Sequence, residues 1–161
     1  MTRHSIQPPE LFDSRQWGFS QVAVSPPGTI VNISGQVAAG ADEVVTAIGR
    51  GPQLLASLQN LVIALEAAGG RADDLQILRI YLPAYKPADD GPEVARVLAD
   101  FFGTTNPPAA SWIGVQSLAR PEFLVEVEAM AVITGSAAYN GKGTNTISQA
   151  AAGAKATMHP E

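Results

Sequence analysis

The strongest pattern in the chain is the alternation between Phe123 and Ile133. Phe123, Val125, Val127, Ala129, Ala131 and Ile133 fall on one side of a strand with period two, and all are apolar, so that side is a core face. The intervening Leu124, Glu126, Glu128, Met130 and Val132 form a mixed face, with two carboxylates among large apolar side chains. A solvent face seldom carries so much apolar surface, and a closed core does not accept unpaired charges. The expected setting is a pocket or a subunit interface. A shorter strand, Ser111 to Val115, precedes this one.

Upstream, Phe19 to Val24 and Thr29 to Gln36 are β-prone runs separated by Ser25-Pro26-Pro27-Gly28. Pro27 can preset φ at the second turn position and Gly28 can supply positive φ at the third, which predicts a β-hairpin. Gly40 to Gly51 reads as a loop with a short extended piece at Glu43 to Thr46. Pro52 suits the start of a helix whose apolar face is Leu55, Leu58, Leu61, Val62 and Leu65, ended by Gly69-Gly70. Leu75 to Leu82 is a strand that stops at Pro83. Pro92 opens a second helix with Val94, Val97, Leu98 and Phe101 inward, ended near Gly103.

The order β-β-α-β-α-β-β predicts an α+β domain. Strand-helix-strand connections imply parallel neighbours, and the last two strands are expected as an antiparallel hairpin. One mixed sheet would then carry both helices on a single face, leaving the other free for oligomerisation. Residues 1–17, with Pro8 and Pro9 and little periodicity, read as an extended arm, and residues 18–134 as the body. Residues 135–161 are rich in Ala, Gly, Ser and Thr and cannot form a core alone. They are either a flexible tail or an Ala-rich helix near Ser148 to Thr157 that docks on the body.

Composition narrows the chemistry. The 161 residues suffice for one domain with a sizeable core, and 46% hydrophobic and 16% charged content is ordinary for a globular protein. A net charge of −5, with ten basic residues of which no two are adjacent, argues against nucleic acid as a partner. Without cysteine there is no disulfide, thiolate nucleophile or cysteine-based metal site. His4 and His159 sit in the two tails, so no histidine triad or metal cluster is expected. Gly49-Arg50-Gly51-Pro52 lacks a phosphate-loop pattern, and no cofactor is expected. The first residues, MTRHSIQPPELF, lack a signal-peptide core, and no apolar run approaches the ~20 residues of a membrane span. A soluble cytoplasmic protein is the default expectation.

Several short motifs, each weak alone, add up when taken in order. They are Gly18-Phe19-Ser20-Gln21, Ser34-Gly35-Gln36, Gln53 through Asn60, and Leu65-Glu66-Ala67-Ala68-Gly69. Asp73-Asp74, Phe101-Phe102, Pro108-Ala109 and Val125-Glu126-Val127-Glu128-Ala129 follow. On these residues, across about 18–133, the chain resembles the Rid/YjgF family. That resemblance implies a chorismate-mutase-like fold, a homotrimer, and a small-molecule site at each subunit interface. Active members hydrolyse enamines and imines such as 2-aminoacrylate to a keto acid and ammonia.

The resemblance assigns roles residue by residue. The acidic residue that handles the hydrolytic water matches Glu126, and the main chain at Gly35 lines the cleft. The arginine that binds the substrate carboxylate falls on Ala110, a supporting tyrosine on Phe19, and an asparagine of the second helix on Ala95. Losing the arginine removes a bidentate grip. At ~1.5–3 kcal/mol for each hydrogen bond to a charged group, an anionic ligand would weaken well over tenfold. An efficient 2-aminoacrylate deaminase is therefore not expected, and a neutral or more apolar ligand is.

Each candidate has a plainer reading. Glu126 and Glu128, about 7 Å apart by strand rise, suit acid–base work or bond across an interface, with Glu126 favoured for the site and Glu128 for structure. Gly35 allows close backbone approach to a ligand, or marks a bulge. Trp112 walls a ligand or fills the volume an arginine would occupy. Arg79 and Arg96 are the cations that could replace that arginine. Two functions follow: a divergent imine or enamine hydrolase, with Glu126 catalytic and Phe19, Gly35, Ala110 and Trp112 binding substrate, or a non-catalytic binding or interaction module.

Overall fold

The computed structural model describes residues 3–45 and 47–134. The expected alternatives for residues 135–161, His159 among them, lie outside the described residues, as does Thr46. Eight regular elements follow in order: β1 (His4–Ile6), β2 (Val22–Val24), β3 (Thr29–Gln36), α1 (Arg50–Ala67), β4 (Leu75–Pro83), α2 (Pro87–Phe102), β5 (Ala109–Val115) and β6 (Glu126–Ile133). The main sheet has the order β3-β6-β4-β5. Leu58, Leu61 and Leu65 of α1 and Val94 and Leu98 of α2 pack with Leu78, Ile80 and Leu82 of β4 and Val127 and Ala131 of β6. Both helices therefore cover one face of a mixed sheet, as the element order implies.

Neither expected hairpin forms. β2 pairs antiparallel with β1, and β3 pairs with β6. Gly28 does not take positive φ; it lies so close to β6 that a Cβ there would come 2.4 Å from the Ile133 carbonyl oxygen. Glycine at this position serves close approach, and Pro26-Pro27 offers no N–H to bond across a turn. At the other end, β4 lies between β5 and β6, parallel to the first and antiparallel to the second. A central β6 suits its pattern, because Met130 and Val132 make its second face partly apolar as well. The residues linking β5 to β6 instead cross the N-terminus of α1. There the buried Gln53 donates to the Glu122 carbonyl and accepts from the Leu124 N–H, and Arg50 donates to the carbonyls of Leu124 and Pro83.

Helix boundaries shift for local reasons. α1 begins two residues before Pro52, and its buried stripe uses Leu54 in place of the exposed Leu55. α2 begins at Pro87 and contains Pro92. Pro87 takes the first helical position, and the Asp90 carboxylate accepts the Lys86 N–H, so the first turn is capped upstream of Pro92.

The expected extended arm is tied down. Besides β1 it holds a 3₁₀ turn, Ser14–Trp17, against α2. Arg3 is buried and donates to the carbonyls of Ala72, Asp73, Leu75 and, twice, Asn106. Burial lowers its pKa, and the nearby charges of Asp73 and Asp74 oppose that. Asn106 returns a hydrogen bond to the Arg3 carbonyl and accepts from Ser5. No helix among the described residues is long and apolar enough to cross a membrane.

Candidate functional site

On the sheet face away from the helices, the β4–β6 register sets Tyr81 opposite Glu126 and Arg79 opposite Glu128. Arg79 Nη1 lies 2.9 Å from Glu128 Oε1, so Glu128 is ion-paired, in line with a structural role. Arg79 is thus on Glu126's face but already engaged, and Arg96 pairs with Asp100 on the exposed side of α2. Burial raises the pKa of the Tyr81 phenol, and its hydrogen bond to Glu128 and the charges of Glu128 and Glu126 add to that, against Arg79. Glu126 reaches across to β3. The β3–β6 register slips between Ile33 and Gln36, and Gly35 sits in that irregularity. A Cβ on Gly35 would lie 1.7 Å from Glu126 Oε1. Gly35 thus marks the bulge, and its missing side chain makes room for this carboxylate.

Gly35→Ala is therefore expected to displace Glu126 with little effect on the fold, because the three atoms nearest the new methyl all belong to that side chain. Misplacing a reacting group by ~1 Å can cost about a hundredfold in rate. A crystal structure and melting curve of the variant check this; an unmoved carboxylate would refute it.

Phe19, Ala110 and Trp112 lie elsewhere. Leu78 is the register partner of Ala110, and Ile80 of Trp112. Since Leu78 and Ile80 are core residues, Ala110 and Trp112 project toward the helix-bearing face. Phe19 meets Trp112 edge to face at 6.0 Å. With Phe12 and Trp17 these three residues line a cavity of about 280 Å³. Its outer wall is held by the 3₁₀ turn. Asp13 caps that turn and accepts from Arg15, whose hydrogen bonds hold the Asp13 carboxyl down to about 2. Ser14 Oγ donates to the Phe19 carbonyl. Gly18 has φ of 76°, and a Cβ there would come 2.6 Å from Leu98 Cβ and from the Ala99 nitrogen, so only glycine lets the chain pass α2 and aim Phe19 at the cavity. Ser20 then bridges to Ala109.

The five residues thus divide between the two faces of the sheet. Gly35 and Glu126 meet on the open face; Phe19, Ala110 and Trp112 meet on the other, at the β5 edge. Ala95 is buried within α2 and does not line the cavity. A larger cleft of about 760 Å³ runs between the loop near Val44 and the Arg120–Glu122 link, but it contains none of these five residues. Sequence reasoning missed Tyr81, Phe12 and Trp17. Tyr81 was findable, since Ile77, Arg79 and Tyr81 alternate with the core residues of their strand. Phe12 and Trp17 stand in a segment with no period to read. Among the described residues no group of three or more His, Asp or Glu side chains is placed to hold a metal ion.

A four-stranded mixed sheet with two helices on one face, and a carboxylate packed on a glycine of the other, defines a small α+β protein of the Rid/YjgF fold class. The family model described as Endoribonuclease L-PSP matches residues 14–133, and the chain belongs to that family, also called YjgF/Rid. A conserved Rid-family protein of unknown function, YyfB from Yersinia pestis, is 34% identical with a TM-score of 0.77, over 83% of this chain and 100% of that one. A protein of unknown function from Pseudomonas aeruginosa is 30% identical with a TM-score of 0.57, over 86% of this chain and 98% of that one. A putative endoribonuclease from Thermotoga maritima is 27% identical with a TM-score of 0.59, over 72% of this chain and 87% of that one. A comparison with curated proteins finds no match.

Proposed function

We propose that this protein is a divergent Rid-family hydrolase that converts a small imine or enamine to a carbonyl compound and ammonia in clefts between the subunits of a homotrimer. The observation that carries the proposal is the Glu126 carboxylate lodged against the bare α-carbon of Gly35 on a sheet face that neither helix covers. A carboxylate there can take a proton from water as it adds to a C=N carbon, with the glycine holding it close to the β3 main chain. The division of the candidate residues between two faces supports an interfacial cleft. A cleft formed from both sets needs the open face of one protomer against the β5 edge of another.

A second reading is a binding module without catalysis. The uncharged cavity around Ala110 favours it, as does the engagement of Arg79 by Glu128, because among the described residues the cavity lining has no cation and the arginine on Glu126's face is already paired. The endoribonuclease description of the family model is less well matched by a chain with net charge −5 and scattered basic residues.

The test is ammonia release from freshly generated imines, measured with light scattering on the same preparation. Accelerated release by a particle of three protomer masses is the expected result. A stable monomer would remove the interfacial cleft. No acceleration, together with saturable binding of a neutral ligand, would establish the binding module instead.

A further inference from the structure

The cavity beside β5 has a composition that the hydrolase reading does not require. Of the five described residues that line it four are aromatic, none is charged, and the fifth is the small Ala110. Two of the rings, Phe12 at 63% and Trp17 at 39% exposed, stand at its mouth. Single exposed apolar residues are ordinary, but rings gathered round one concavity form the kind of apolar surface that binding covers. The chain that carries Trp17 and Phe19 is held in place: Gly18 fixes it against α2, Asp13 caps the turn before it, and Phe19 is braced edge to face on Trp112. A set of ring faces and edges complements another ring better than it does an aliphatic chain of the same size. Rings alone also attract a quaternary ammonium, so a cationic ligand is the competing occupant.

We propose that this cavity receives an aryl group, and that the substrate is the imine of an arylalkyl amine carrying no carboxylate. This rests on the hydrolase reading above and adds the substrate class to it. With the ring in the box, the C=N carbon would extend toward the Glu126 and Gly35 of an adjoining protomer. Water adds to that carbon and one of its protons passes by way of the Glu126 carboxylate to the nitrogen; the carbinolamine hydroxyl then gives its proton by the same route to the nitrogen as the C–N bond breaks, and ammonia leaves with an aryl aldehyde or ketone as the other product. No oxidant or reductant is consumed. The reaction supplying such a substrate must be the two-electron oxidation of an arylalkyl amine.

The chain has two tryptophans, Trp17 and Trp112, and both line the cavity, so intrinsic fluorescence reports on it directly. Benzyl alcohol, cyclohexylmethanol and benzyltrimethylammonium would be titrated into the full-length protein, with fluorescence excited at the red edge of tryptophan absorption and calorimetry as a second readout. Benzyl alcohol is expected to bind saturably and about tenfold more tightly than either comparison compound. Phe12→Ala and Trp17→Ala are each expected to weaken it several-fold, with melting curves and light scattering showing that fold and assembly are kept. Equal or tighter binding of cyclohexylmethanol, preference for the quaternary ammonium, or no saturable heat with benzyl alcohol would overturn the assignment. Benzyl alcohol binding without acceleration of any imine hydrolysis would keep the aryl site and remove the hydrolase. Hydrolysis of aliphatic imines with no aromatic preference would do the reverse.

Discussion

Replacing Glu126 with glutamine is expected to lower the rate of imine hydrolysis by two to four orders of magnitude, the range usual for removing a general base (roughly 10²–10⁴-fold). Glutamine keeps the length and most of the packing against Gly35, so the loss would reflect the carboxylate's basicity and not a cavity. The effect should fall on kcat, with KM nearly unchanged, because substrate binding is attributed to the aromatic cavity on the opposite face. Glu128→Gln is the matched control. That carboxylate is ion-paired with Arg79, so its replacement should have a smaller effect on kcat and a modest one on stability. Ammonia release from a panel of imines, measured for both variants under identical conditions, decides the matter. Wild-type turnover by Glu126→Gln would remove Glu126 from the reaction.

The second large effect is one of stability. Arg3→Ala deletes a buried guanidinium that gathers four main-chain carbonyls from two distant parts of the chain. Hydrogen bonds to a charged donor contribute ~1.5–3 kcal/mol each, but water can replace some of them in the variant, so a net loss of about 3 kcal/mol is expected. For a chain of this size that corresponds to a fall in melting temperature of roughly 6–12 °C. Lysine at this position should recover only part of it, since one ammonium cannot span carbonyls set around a planar fork. Hydrogen exchange should show β1 and β2 opening before the main sheet does. An Arg3→Ala protein with an unchanged melting temperature would refute this account of how the arm is held.

The strand and helix inventory of the body was readable because each segment's period matched its burial. Val125 to Met130 alternates and is buried on alternate positions; Leu58, Leu61 and Leu65 recur at helical spacing and are fully buried. The pairing of strands was not readable. Proline and glycine between two β-prone runs look the same whether they make a tight turn or let the chain pass close to another strand, and only Ile133 packed on Gly28 distinguishes the two. Likewise, nothing local to β5 and β6 says that β4 will come between them. The site was half legible. Glu126 and Gly35 could be nominated from their own strands, but their contact depends on a register slip in β3. Ala110 and Trp112 are four and two residues from Gly114 on one strand, yet the face they occupy is fixed only by their partners on β4. Arg3, Phe12 and Trp17 belong to a segment without periodicity, where the bonds are made to residues more than 60 positions away or to other aperiodic neighbours.

The placement of the two residue sets on opposite sides of one sheet has an evolutionary consequence. Within one protomer, a substitution in the aromatic cavity alters no atom that packs against Glu126, and a substitution near Gly35 leaves the cavity's rings untouched. Specificity and reactivity can therefore drift separately under selection. A lineage could exchange one class of ligand for another many times while the carboxylate on Gly35 stayed fixed, or keep its ligand after that carboxylate was gone.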